Sequence, residues 1–201
     1  TIQMNARVSI NAQQRGSSPS TETSIRPTPI RKPLQLISTQ GQVQIHTSSF
    51  RGSFSVVLSE ALRSAGLGSQ VLIAQFLRGG VNQGPNGAVH LCGSLEWLRP
   101  AIETCIPEPI TDESLSLKRK YEEKAIRELW ECCKTRLAEK KIDKIVLDEI
   151  GMAISLGFIE EKDLIFMIDN RPPSTDIILT GPSIPNKVIE MADQITELRC
   201  N

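Results

Sequence analysis

Apolar residues in this chain fall into short runs separated by stretches of helical period, and that alternation predicts its architecture. Residues 43–45 form a short β-branched strand, and residues 56–65 carry apolar positions at helical spacing. Gly66-Leu67-Gly68 then supplies the stop signal of a helix C-terminus. Residues 71–77 are a nearly unbroken apolar run, the pattern of a strand buried on both faces of a parallel sheet. A glycine- and asparagine-rich loop over 79–87 leads to a third short strand at 88–92. Residues 95–110, broken by Pro100, Pro107 and Pro109, show no clear period. The longest helix is expected over 112–141, with Ile126, Leu129, Trp130, Cys133 and Leu137 on one stripe and charged residues on the other faces. A strand at 145–147 ends in Asp148-Glu149, and helical patterns follow at 151–156 and 161–170. The pattern closes with a strand at 176–180, a helix at 186–193 and an edge strand at 195–198. Strands alternating with helices predict an α/β domain of three layers with a mostly parallel sheet.

Composition sharpens this picture at the ends of the chain. Residues 1–40 are rich in Gln, Ser, Thr, Pro and Arg and lack apolar periodicity, so they are expected to form a disordered or arm-like tail before a domain over 41–201. That tail holds Arg7, Arg15, Arg26, Arg31 and Lys32 against Glu22 alone, while the whole chain is formally neutral. A basic tail could engage a protein partner, but a neutral whole argues against a nucleic-acid-binding body. No run of eighteen apolar residues marks a membrane span. The five cysteines (Cys92, Cys105, Cys132, Cys133 and Cys200) lack the paired spacing of a zinc site. They read as reduced thiols of a cytoplasmic protein, with an organellar stroma or matrix as the alternative for a Ser- and Arg-rich leader.

Candidate chemistry concentrates between the first strand and the first helix, in His46-Thr47-Ser48-Ser49-Phe50-Arg51-Gly52-Ser53-Phe54-Ser55. A strand–loop–helix setting is where a phosphate-binding loop belongs. Such a loop uses glycines so that backbone N–H groups can approach phosphate, a Lys against its charge, and a Ser or Thr hydroxyl for Mg²⁺. Only Gly52 meets the first need, and Ser53 and Phe54 stand where the Lys and the metal hydroxyl would be. Arg51 offers a partial substitute, because guanidinium pairs well with phosphate.

The ordered set of segments resembles a known family. Leu62-Arg63-Ser64-Ala65-Gly66-Leu67-Gly68 leads to Val71-Leu72-Ile73-Ala74-Gln75-Phe76-Leu77-Arg78-Gly79. Arg127-Glu128-Leu129-Trp130 precedes Ile145-Val146-Leu147-Asp148-Glu149. Asn170-Arg171-Pro172, Ile177-Ile178-Leu179-Thr180-Gly181, Val188-Ile189-Glu190-Met191-Ala192-Asp193 and Thr196-Glu197-Leu198 follow. Together they resemble the P-loop class of ATP:corrinoid adenosyltransferases over residues 41–199. The resemblance implies a RecA-like P-loop NTPase fold, a homodimer, ATP and Mg²⁺ as ligands, and a Co(I) corrinoid as acceptor. It also implies the chemistry, in which cobalt attacks the ribose 5′ carbon of ATP and expels triphosphate.

This sequence departs from that pattern at the chemistry. Aligned on Arg63, the family's loop falls on residues 48–55, with its early glycines replaced by Ser48 and Phe50 and its first Lys matched by Arg51. The family's Gly-Glu is matched by Gly84-Pro85, its aromatic corrinoid pair has no counterpart between Cys105 and Lys120, and Pro182 replaces the Arg after Thr180-Gly181. Gln75, Arg63, Asp148, Glu149, Arg171, Thr180 and Asp193 persist. The candidate phosphate- and nucleotide-binding residues are therefore Ser49, Arg51, Gly52, Ser53, Ser55, Arg63, Thr180 and Gly181. Asp148 and Glu149 are the candidate metal ligands; the alternative is an acidic strand end that caps the next helix. Gln75 and Phe76 are expected to pack within the sheet. The expectation for function is a divergent, catalytically impaired family member that binds a nucleotide or other anion, or a partner. The alternative is active transfer of 5′-deoxyadenosyl from ATP to a corrinoid.

Overall fold

The computed structural model describes residues 40–52, 54–80, 84–106, 116–139 and 141–199. Residues 1–39 of the tail expected over 1–40, Ser53 and Cys200 lie outside them. Seven strands and five helices succeed one another along these residues: β1 (Val43–Ser48), α1 (Ser55–Gly66), β2 (Val71–Gln75), β3 (Val89–Leu91), β4 (Leu95–Leu98), α2 (Ser116–Ala138), β5 (Lys144–Asp148), α3 (Ile150–Ser155), α4 (Glu161–Asp169), β6 (Asp176–Thr180), α5 (Asn186–Glu190) and β7 (Gln194–Leu198). The strands form one sheet in the order β3-β4-β2-β5-β6-β1-β7, parallel throughout except for the β3–β4 hairpin.

The sequence reading missed β4. Its four residues, Leu-Glu-Trp-Leu, are too short to show a period, and they are turned back onto β3 by Cys92 and Gly93, both at positive φ. The apolar run at 71–77 splits differently from its reading: hydrogen-bonded strand stops at Gln75, though Phe76 and Leu77 stay fully buried.

Alternate residues of the central strands feed two cores. Val71, Ile73, Val146 and Ile178 face α1 and pack against Phe54, Val57, Ala61 and Ala65. Leu72, Ala74, Ile145, Leu147, Ile177 and Leu179 face the other way, toward Ile126, Leu129 and Cys133 of α2, Ala153 of α3, Leu164 of α4 and Val188 of α5. Strands covered on both faces explain the continuous apolar runs.

Strand order fixes where chemistry can happen. β1 lies between β6 and β7, whereas α1 carries the chain over to β2 on the far side of β5. The connections leaving the C-terminal ends of β1, β2, β5 and β6 thus diverge around one crevice, the place where ligands bind open α/β sheets.

Candidate functional site

The loop after β1 starts with Ser48, whose hydroxyl donates to the Phe50 carbonyl at 2.5 Å and tightens the turn. The two phenylalanines then go separate ways. Phe54 is buried beside Val57 and meets His46 edge-on, with ring centroids 6.3 Å apart. Phe50 remains 43% exposed, and its ring lies against Gly52, where an added Cβ would sit 3.7 Å from it. Desolvation beside this contact lowers the His46 pKa, favouring the neutral ring.

Arg51 turns inward from the loop. Its Nε donates to Glu149 Oε1 at 2.7 Å and its Nη2 to Oε2 at 3.1 Å, a two-point fork on one carboxylate. Nη1 also donates to the Ile106 carbonyl, and Nη2 reaches the Leu77 carbonyl at 3.4 Å.

Glu149 is fully buried and adopts left-handed backbone geometry, φ 59°, at the start of α3. Its side chain makes no cap hydrogen bond to that helix, so the helix-capping alternative is not the one adopted. Two neighbours hold the turn. Thr180 Oγ1 accepts the Glu149 N–H at 3.2 Å, and Gly181, at φ 107°, leaves no side chain where a Cβ would lie 3.0 Å from the Glu149 Cα.

Asp148 completes a polar chain across four strands. Thr180 Oγ1 donates to its Oδ1 at 2.5 Å and Gln75 Nε2 to its Oδ2 at 2.7 Å, while Arg78 Nε stands 3.8 Å away. Gln75 in turn accepts from Trp97 Nε1 at 3.0 Å and Arg99 Nε at 2.9 Å. Burial pushes the Asp148 carboxyl above the usual carboxylate range; the bonds from Thr180 and Gln75 oppose that shift. Gln75 therefore does more than the packing expected of it: it links β4 to the acidic end of β5. A lone amide within an apolar run was the available signal, since a buried amide needs partners.

The candidate residues divide between the two ends of the sheet. Ser49, Arg51 and Gly52 belong to the loop, Ser55 opens α1, and Arg51 meets the Glu149 turn that Thr180 and Gly181 support. Arg63 is not brought to them. It sits in the last turn of α1, exposed and forked onto Glu60 at 2.8 and 2.9 Å. Eight residues of helix rise, about 12 Å, separate it from Ser55. Arg171 and Asp193 also lie at that far end, where Arg171 donates to the Ile168 carbonyl and Asp193 accepts the Val43 N–H.

A cavity of about 230 Å³ opens beside the loop, lined by Phe50, Arg51, Met152, Ser155, Pro182 and Ser183 among others. This is below the roughly 300–1,000 Å³ of most small-molecule sites. Among the described residues no group of three or more His, Cys, Asp or Glu side chains is placed to hold a metal ion, and no helix is long and apolar enough to cross a membrane.

Comparisons with known proteins agree with this architecture. A corrinoid adenosyltransferase of Escherichia coli is 26% identical over 160 residues, covering 80% of this chain and 77% of that protein. Corrinoid adenosyltransferase CobA of Salmonella typhimurium is 26% identical over 162 residues, with the same shares covered. An uncharacterized protein of Nostoc is 26% identical over 175 residues, which span 79% of this chain but 44% of that one. The family model for ATP:corrinoid adenosyltransferase BtuR/CobO/CobP matches residues 39–201, and the chain belongs to that family.

Proposed function

We propose that this chain is a catalytically impaired member of its family that serves as a nucleotide- or anion-binding or interaction protein. The observation that carries this reading is the fork of Arg51 on Glu149. Arg51 is the cation of the loop that aligns with a family lysine, and its charge is directed at the protein's own carboxylate. Expulsion of triphosphate needs that charge on the leaving group, together with the metal hydroxyl that Phe54 replaces. Electrostatic stabilisers of this kind are each worth about 3–4 kcal/mol in a transition state, and every 1.4 kcal/mol is about tenfold in rate.

Active adenosyl transfer is the second reading. What favours it is the intact Gln75–Asp148–Thr180 network at the mouth of the sheet. For transfer to proceed, Arg51 would have to leave Glu149 for the triphosphate, and Mg²⁺ would have to replace it at the acidic end. A homodimer and a partner engaged through residues 1–40 belong to the same proposal.

The deciding experiment incubates the purified chain with Mg-ATP and chemically reduced corrinoid and follows formation of the cobalt–carbon bond by absorbance, with calorimetry of ATP binding in parallel. The expected result is no adenosylated product above the protein-free control. Turnover comparable with that of the Escherichia coli relative would refute impairment.

A further inference from the structure

Two buried carboxylates at the C-terminal end of β5 require a counter-charge, and this chain supplies it from its own side chains. We infer that Arg51 is the built-in cation of this site, standing where a divalent ion would sit, so that Asp148 and Glu149 bind no Mg²⁺. Both Glu149 oxygens accept from Arg51. Both Asp148 oxygens are likewise engaged, one by Thr180 and one by Gln75, with Arg78 beside the latter.

The donor set does not suit the ion. Mg²⁺ demands near-octahedral geometry and gives up its water reluctantly, so it is usually held with several waters still attached. Asp148 is 1% exposed and Glu149 0%, so a hydrated ion would find little carboxylate surface to meet. To enter, the ion would have to break the two-point fork and strand a guanidinium that the Ile106 and Leu77 carbonyls also hold. Arg51, with about a quarter of its side chain exposed, brings its charge on a tether and needs no dehydration of a free ion.

This inference does not depend on the loss of turnover, and its test uses no nucleotide. Mn²⁺, a paramagnetic substitute for Mg²⁺, is titrated into the intact chain and its free signal is followed by electron paramagnetic resonance; thermal melts are recorded with and without Mg²⁺. The unmodified chain should leave Mn²⁺ free up to millimolar concentration, and its melting temperature should not move with Mg²⁺. Arg51→Ala should gain a Mn²⁺ site and melt higher when the ion is added, and Glu149→Gln in that background should abolish both effects. Where the alanine variant does not fold, Arg51→Gln keeps a long polar side chain and reads the same gain. Tight Mn²⁺ binding by the unmodified chain that Glu149→Gln abolishes would overturn the inference. So would a folded Arg51 variant that gains no site.

Discussion

Arg51 and Glu149 are 98 residues apart in sequence and meet at 2.7 Å, the arginine on the loop after β1 and the glutamate at the turn into α3. The contact clamps two connections that leave neighbouring parts of the sheet. Removing one partner strands the other. Arg51→Ala leaves a fully buried carboxylate without its fork, and the expected loss of stability is about 3 kcal/mol, at the low end for a broken buried pair because Arg51 is partly exposed. Paired apolar replacement, Arg51→Met with Glu149→Leu, should cost much less than the single change. Urea unfolding of the two single variants and the double variant measures the coupling; additive losses would show that the pair contributes no interaction of its own.

Thr180 serves both acidic residues through one oxygen, donating to Asp148 and accepting from the Glu149 N–H. Thr180→Val keeps the shape and removes both bonds. Two buried polar groups lose a partner, so a loss of about 1–3 kcal/mol is expected in the denaturation midpoint at unchanged slope. A variant as stable as the parent would mean that water replaces the hydroxyl.

Asp148 gives a pH dependence of definite sign. Its pKa is raised in the folded protein, chiefly by burial, so the folded state holds the proton at a pH where the unfolded state has released it. The group's contribution to stability therefore falls as pH rises from about 3.9, the unfolded carboxylate value, through the higher folded value. The stability of the parent minus that of Asp148→Asn should decrease with pH across this window. Measured by urea titration at several pH values, a difference that grows with pH would show that the bonds from Thr180 and Gln75 outweigh desolvation.

Gly151 reverses the ordinary helix preference. In an exposed helix Gly→Ala stabilises by up to about 1 kcal/mol. Here an added Cβ would lie 2.5 Å from the Pro182 carbonyl oxygen and 2.7 Å from the Ile184 nitrogen, both backbone atoms. Gly151→Ala should destabilise by about 1–3 kcal/mol and lower the melting temperature. An unchanged or higher melting temperature would show that the 182–184 connection yields freely.

Placing a hydroxyl residue at position 54 should do harm. The ring fills the α1-side core, and Phe→Ala changes in cores cost about 3–5 kcal/mol. Phe54→Thr should lose about 3 kcal/mol in urea unfolding and gain no ATP affinity by calorimetry, because Arg51 still faces Glu149. A gain in affinity would show that a hydroxyl at position 54 promotes ATP binding even while Arg51 faces Glu149.

Sequence by itself determined the layered α/β order, because strands covered on both faces must be continuously apolar and amphipathic helices must show their stripe. The stripe from Ile126 to Leu137 and the run from Val71 to Leu77 are buried as read. Sequence also marked Asp148-Glu149 and the loop after the first strand as candidates, since residue types at a strand end and at a strand–loop–helix junction are visible without coordinates. What only the tertiary structure decided is how the persistent motif residues sort themselves. Strand order sends Arg63, Arg171 and Asp193 to one end of the sheet and gathers Arg51, Gln75, Asp148, Glu149 and Thr180 at the other. Whether Arg51 faces a ligand or a carboxylate depends on what lies across the crevice, and a contact between residues so far apart in the chain leaves no local signature in either segment.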